Sequence, residues 1–251
     1  MADTVRNSTT CGPVPGAGGV PEARSRHHGT GGGATPTPAL LLPVIGPKDL
    51  KVGPIGGSLA RPICVSRHYL HSYPGGSLLH FGVFAGTSLL GVAVIGAGPA
   101  NVKRFFRGAQ VGDVACLTRL WLDDRLGRNA ESRVLGIILR SLRRKQATIK
   151  ALVAYSDPAA GHTGIIYRAA GFFYLGRSQG MPLYRLADGR LCHSRTLSQL
   201  FGTRDRNYFA RAGVPLELVR QAPKHTYVAL IAREWTDRLT RVPQPYPKGE
   251  A

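Results

Sequence analysis

The stretch ALVAYSDPAAGHTGIIYRAAGFFYLG, residues 151–176, decides the fold. Ala151 to Tyr155 is an apolar run of strand length, and it ends in Ser156, Asp157 and Pro158, which are polar and turn-forming. Gly161 and Gly164 bracket His162 and Thr163. A short helical pattern then carries Tyr167 and stops at Gly171, before a second apolar run from Phe172 to Leu175. Strand, polar turn, short helix and strand in such close succession predict Asp157 and Tyr167 at the mouth of one cleft, opposite the loop from Arg125 to Ser132. Packing alone does not require that polar turn.

Upstream, an amphipathic helix opens at Asn129 or Ala130 and runs to about Gln146, with Val134, Ile137, Ile138 and Leu142 at helical spacing. Its other face carries Arg133, Arg140, Arg143, Arg144 and Lys145, and no acid occurs between Ser132 and Ser156. Before it, residues 112–122 read as a strand, and Leu78–Phe84 and Leu89–Ile95 as two strands joined by a turn. Residues 43–67 read as an extended lead-in with a first strand near Arg61 to Val65. Downstream, Met181–Leu186 is a further strand, helices follow near Thr196–Phe201 and Tyr208, and HTYVALIAREW is a last strand. The order is that of an α+β layer with a mixed sheet flanked by helices.

Composition sets the outer limits. Lys and Arg number 33 against 14 Asp and Glu, a formal charge of +19, and polyanions are the usual partners of such an excess. No apolar stretch approaches the roughly 20 residues of a spanning helix, and MADTVRNSTT lacks the order of a secretory signal. Cys11, Cys64, Cys116 and Cys192 lie far apart with no CxxC pair, which fits a reduced cytoplasmic chain and signals no zinc module. Residues 1–42 hold 8 Gly and 5 Pro and no aromatic residue, which predicts a flexible tail; the pair His27 and His28 within it is an incidental feature or a metal contact. The expected organisation is a tail over 1–42, a core over 43–186, a basic extension over 187–241 that completes the sheet and contacts DNA, and a second tail over 242–251.

Two resemblances follow from the motifs. Strand, Arg/Gly loop, long helix, strand, then a short helix with Tyr167-Arg168-Ala169-Ala170-Gly171-Phe172 is similar to the core of GNAT acyltransferases. That resemblance implies a loop, here Arg125-Leu126-Gly127-Arg128-Asn129-Ala130 with Ser132 beyond it, that presents backbone N–H groups to the pyrophosphate of acetyl-CoA or another acyl donor at a helix N-terminus. Arg128 stands at the pattern's central glycine, where a side chain hinders a phosphate. The resemblance also implies a tyrosine, here Tyr167, that protonates the leaving thiolate.

More narrowly, RHYLHSYP (67–74 after Ser66), LTRLWLDDRLGRNAESR (117–133), YSDPAAGHTGIIYRAAGF (155–172) and KHTYVALI (224–231) resemble the Mom family of phage DNA-modification proteins. The likeness spans roughly residues 66–232 and implies a divergent GNAT-like enzyme acting on double-stranded DNA. Its implied product is N6-carbamoylmethyl adenine, which defeats host restriction. Carried over by position, the implied catalytic residues are His68, Tyr69, Arg119, Ser132, Asp157 and Tyr167.

Read without the resemblance, each of these residues has a plainer alternative. Asp157 either takes a proton from an exocyclic amine or caps the turn before Pro158. Tyr167 is an acid or a core tyrosine, and Ser132 contacts a donor or caps the helix. Arg119, a charge within an apolar strand, holds Asp157, holds a ligand carbonyl, or faces solvent. His68 and Tyr69 either engage an extruded base or belong to the core; a metal held by His68, Asp157 and Tyr167 is not supported by their spacing. Arg140, Arg143, Arg144, Arg195, Arg204, Lys224 and His225, with aromatics interleaved, read as DNA contacts or as a solvated surface. The rival functions are an acetyl-CoA-dependent acyltransferase acting on a protein or amine, and a DNA-binding module without catalysis.

Overall fold

The computed structural model describes residues 45–180 and 182–247. The expected tail over 1–42, with His27 and His28, lies outside the described residues. In chain order the elements are β1 (Leu50–Pro54), α1 (Gly57–Ser66), β2 (Ser77–Ala85), β3 (Ser88–Gly96), β4 (Val114–Leu122), α2 (Ala130–Lys145), β5 (Ala151–Ser156), α3 (Ile165–Ala169), β6 (Phe173–Arg177), β7 (Pro182–Arg185), β8 (Leu191–His193), α4 (Ser194–Phe201), α5 (Arg206–Arg211), β9 (Glu217–Arg220) and β10 (His225–Leu230).

The chain divides into two compact units, and the break falls at different points from those that composition suggests. The larger unit comprises Leu41–Gly180 with Ala222–Ala251, and the smaller takes in Met181–Gln221. The reason lies in β10, which pairs antiparallel with both β5 and β6 and so returns the chain to the large sheet. Residues 222–247 therefore belong with the core, and only the segment before them stands apart.

The large sheet has the order β1-β2-β3-β4-β5-β10-β6. Its neighbours are antiparallel except for β4 and β5. Strand alternation sorts the side chains to two faces. In β5, Leu152 and Ala154 join the cluster that buries Val134, Leu135, Ile138, Leu139 and Leu142 of α2. Ala151 and Val153 point the other way, against Phe105, Phe106 and Trp235. Leu135 and Leu139 extend the helix's expected apolar stripe, and the basic side chains gather in its last turn, where they complement the helix dipole.

The expected strand at Arg61–Val65 is instead the second half of α1. Its Ile63, Cys64 and Val65 form an apolar run of strand character. The spacing of Ala60 and Cys64 decides otherwise, because both are buried on one helical face against Val92 and Val94 of β3. The first strand is β1, five residues at the sheet edge, where Gly53 and Pro54 are tolerated.

The C-terminal segment is likewise no tail as far as residue 247. Gln244 bridges Tyr174 of β6, the Tyr246 hydroxyl donates to the Phe172 carbonyl, and the Arg168 guanidinium lies 5.4 Å from the Tyr246 ring centre.

One feature of this sheet positions the site. The β4–β5 pairing runs from Val114↔Ala151 to Leu117↔Ala154 and stops, although β4 continues to Leu122 and β5 to Ser156. The only parallel pair among the described strands therefore splays open at its C-terminal ends. With α2 linking the two strands in sequence, this is the GNAT-like mixed sheet that the resemblance implies.

The smaller unit has its own sheet, order β8-β7-β9, all antiparallel. It also has its own core of Leu186, Cys192, Leu197 and Phe209.

Candidate active site

The splay between β4 and β5 opens a cleft of about 450 Å³. Its walls are the free end of β4 (Leu117–Leu122), the end of β5 with Asp157, the glycine-bracketed turn and α3 as far as Tyr167, and Arg67–Tyr69 after α1. Five of the six implied catalytic residues line it: His68, Tyr69, Arg119, Asp157 and Tyr167. Ser132 does not. Its hydroxyl donates to the Asn129 carbonyl at 3.1 Å in the first turn of α2, and its neighbour Glu131 faces the cleft instead.

Asp157 is 8% exposed and fully engaged. One oxygen accepts the Ala159 amide at 3.1 Å, which is the turn-capping role, while the other accepts from Lys224 Nζ at 2.9 Å. The capping contact weighed from sequence is thus present, and the second oxygen is held by an ion pair. The expected Arg119–Asp157 contact is replaced by the Lys224 ion pair, and Lys224, read from sequence as a DNA contact, is a half-buried partner of the cleft carboxylate.

Arg119 anchors the opposite wall. Its Nε donates to the Ser72 carbonyl at 3.0 Å, Nη2 to the Ser72 hydroxyl at 2.9 Å, and Nη1 to the Thr118 carbonyl at 2.6 Å. Three of its five N–H groups are spent holding the segment after α1 against β4, which leaves two for a ligand.

His68 is 5% exposed, and the Leu70 amide donates to its Nδ1 at 3.1 Å. Burial, with the Arg119 charge next, pushes its pKa down to about 4. A neutral ring whose Nδ1 accepts carries its proton on Nε2, so His68 offers a hydrogen-bond donor across physiological pH. Its ring stacks on Tyr69 at 4.5 Å, and Tyr69 in turn meets His162 at 5.4 Å. Tyr69 is 47% exposed, so this cluster of one stacked and one tilted pair presents an aromatic surface at the cleft. Burial raises the Tyr69 phenol above its ordinary value, with Asp157 adding to the rise.

Tyr167 packs against Tyr227 at 5.0 Å and Phe172 at 5.3 Å, and burial raises its phenol strongly. Tyr167 therefore packs into the core while lining the cleft, and burial keeps its hydroxyl protonated. The turn before it is fixed by Tyr227. That hydroxyl donates to the Thr163 carbonyl at 2.5 Å, and a Cβ on Gly164, whose φ is +79°, stands 2.5 Å from the Tyr227 ring. Only glycine fits there.

Sequence reasoning missed three residues of the site. Glu131 lines the cleft and pairs with no cation among the described residues. His162 completes the ring cluster, and its place between two glycines was the only signal. Lys224 lies far along the chain, and nothing local marks it as a partner of Asp157.

His225, the remaining implied DNA contact beside Lys224, is buried, and its Nδ1 is 2.8 Å from the Tyr174 hydroxyl. Arg143 donates to the Leu230 carbonyl, while Arg140 and Arg144 are exposed. Arg204 is exposed in the smaller unit, and the side chain of Arg195 lies outside the described residues.

The loop at the start of α2 is largely committed. Asp123 binds the Arg125 side chain at 2.7 and 2.8 Å and its amide at 3.0 Å. The Leu126 amide donates to the Asp123 carbonyl, Gly127 to Ile45, and Ala130 to Gly127. Asn129 takes up φ +67° and makes no side-chain cap.

Fold and cleft together define an α+β, GNAT-like protein with a cleft at the splay of the one parallel strand pair among the described residues. The chain belongs to the Mom protein family, whose model matches residues 49–248. It is 30% identical over 208 residues to the methylcarbamoylase Mom of Escherichia phage Mu, covering 81% of this chain and 86% of that one. Among solved structures, an N-acetyltransferase from Staphylococcus aureus Mu50 aligns with 9% identity and a TM-score of 0.41, over 72% of this chain and 97% of its own. The ribosomal-protein-S18-alanine N-acetyltransferase of Escherichia coli aligns with 11% identity and a TM-score of 0.38, over 73% and 94%.

Four of the six backbone N–H groups of the α2 loop, Arg125 to Ala130, are not free for a coenzyme A pyrophosphate. Such a cradle needs a run of free N–H groups and close backbone approach. Here the amides of Arg125, Leu126, Gly127 and Ala130 are already bonded, and Arg128 carries a side chain where the pattern has glycine.

Proposed function

We propose that this protein is a Mom-type transferase that adds a small group, of the carbamoylmethyl kind, to N6 of adenine in phage double-stranded DNA, and so protects that DNA from restriction. The observation that carries the reading is the convergence of an aromatic cluster (His68 stacked on Tyr69, with His162 tilted against it) with a carboxylate and an arginine in one cleft of about 450 Å³. The methylcarbamoylase name of the phage Mu relative supports the chemistry.

Adenine N6 is inaccessible to such chemistry inside a duplex, so the base is flipped out and enters the cleft. Tyr69, half-exposed, stacks on the base, and His68 donates from Nε2 to a ring nitrogen. The N6 nitrogen attacks the carbon of the donor. The N–C bond forms, the bond from that carbon to the leaving group breaks, and one amine proton passes to Asp157 Oδ2. Lys224 holds that oxygen in place before the transfer. Arg119, with two N–H groups uncommitted, takes the carbonyl oxygen of the transferred group. Tyr167, kept protonated by burial, donates to the leaving group.

Plasmid isolated from bacteria making the protein should resist endonucleases whose recognition sites contain adenine, and plasmid from cells making Asp157→Asn should be cut. Complete cutting of the wild-type plasmid contradicts the reading.

A further inference from the structure

A flipped base fills the cleft, so contact there reaches one nucleotide, whereas affinity for a duplex comes mainly from its phosphates. Those contacts must lie elsewhere on the protein, and the smaller unit carries a surface of the right chemistry.

Its acids are all engaged. Asp188 pairs with Arg190 at 2.6 Å, Glu217 pairs with Arg185 at 2.9 Å, and Asp205 caps α5 by accepting the Asn207 amide at 3.0 Å. Arg204, Arg206, Arg211 and Arg220 are exposed and pair with no acid among the described residues. Arg204 and Arg206 lie with Asp205 and Asn207 along an open concavity of about 800 Å³ between α5 and the turn that follows it. Phe209 lines it as well. Tyr208 and Phe201, 47% and 39% exposed, each pack edge-on against the buried Phe209, so the core fixes them while part of each ring stays in solvent. Uncompensated guanidiniums, a side-chain amide and half-exposed aromatic rings are the groups that hold a phosphate–sugar backbone.

We propose that the unit formed by Met181–Gln221 is a docking module for the phosphate backbone of duplex DNA, with Arg204 and Arg206 as its principal phosphate contacts. This inference rests on the DNA-modifying reading and names the surface that captures the substrate. The rival surface is the outer face of α2, where Arg140 and Arg144 are also exposed. On that face Arg143 is spent on the Leu230 carbonyl.

The test is fluorescence anisotropy of a labelled duplex at several salt concentrations. It uses the full chain, because a unit of this size is too small to be relied on to fold alone. Arg204→Ala/Arg206→Ala should weaken binding about 10- to 100-fold at low salt and lower the log–log salt slope by about two. Arg204→Lys/Arg206→Lys should restore the slope, and unchanged thermal melting excludes misfolding. An unchanged slope in the alanine variant overturns the proposal, as does a loss confined to Arg140→Ala/Arg144→Ala or a wild type that binds no duplex. If the alanine variant weakens binding but the wild type leaves DNA unmodified, docking stands and the DNA-modifying reading fails.

Discussion

At the scale of single residues, the cleft depends on two electrostatic arrangements. Asp157 is 8% exposed and among the described residues only Lys224 pairs with it, so Lys224→Met leaves a nearly buried carboxylate without that counter-charge. Modification should fall at least tenfold, with stability lower by about 1–2 kcal/mol, and Lys224→Arg should recover most of both. A Lys224→Met protein that modifies DNA at the wild-type rate would remove Lys224 from the site. His68 is the second arrangement. Its folded pKa of about 4 lies below the unfolded value of 6.5, so the unfolded chain binds the extra proton between those limits. Stability is therefore lost as pH falls from about 6.5 to about 4, at no more than about 1.4 kcal/mol per pH unit for this group, and levels off below. Burial depresses His225 in the same direction. Urea midpoints across that range should show a smaller acid loss in His68→Gln than in the wild type. The family resemblance named Asp157, Tyr167, His68 and Tyr69, and local signals supported them only weakly: turn residues after an apolar run, and the first aromatics in the chain. Lys224 and Glu131 were not legible, because their meaning comes from a strand insertion and a splay that no short window contains.

At the scale of elements, the quoted stretch folds as its pattern dictates: β5, a capped turn, α3 and β6. The turn stays in place because Gly164 lets Tyr227 of β10 close over it. Gly164→Ala introduces a Cβ at a φ of +79° and against the ring, and should cost about 2–4 kcal/mol in urea unfolding. A loss under 0.5 kcal/mol would show that the turn yields freely. Hydrophobic periodicity also located β2 through β5 and α2. It failed at α1, where the Ile63-Cys64-Val65 run outweighed the four-residue spacing of Ala60 and Cys64. It failed too at β1, β8 and β9, which are only three to five residues long and build their patterns from partners distant in sequence.

At the scale of the whole molecule, the order of apolar runs foretold a mixed sheet, but not that β10 would slot between β5 and β6 and set Met181–Gln221 apart as a unit. That insertion brings Lys224 to Asp157 and Tyr227 to Gly164, so the last strand completes the cleft as well as the sheet. The formal charge of +19 belongs to the same scale and favours a polyanionic partner. The central claim is that this cleft modifies adenine in DNA, and nucleoside mass spectrometry tests it most directly. DNA from bacteria making the wild-type protein should yield a heavier deoxyadenosine, with the added mass of a carbamoylmethyl group, and DNA from cells making Asp157→Asn should yield none. Unaltered deoxyadenosine in the presence of folded wild-type protein would contradict the account.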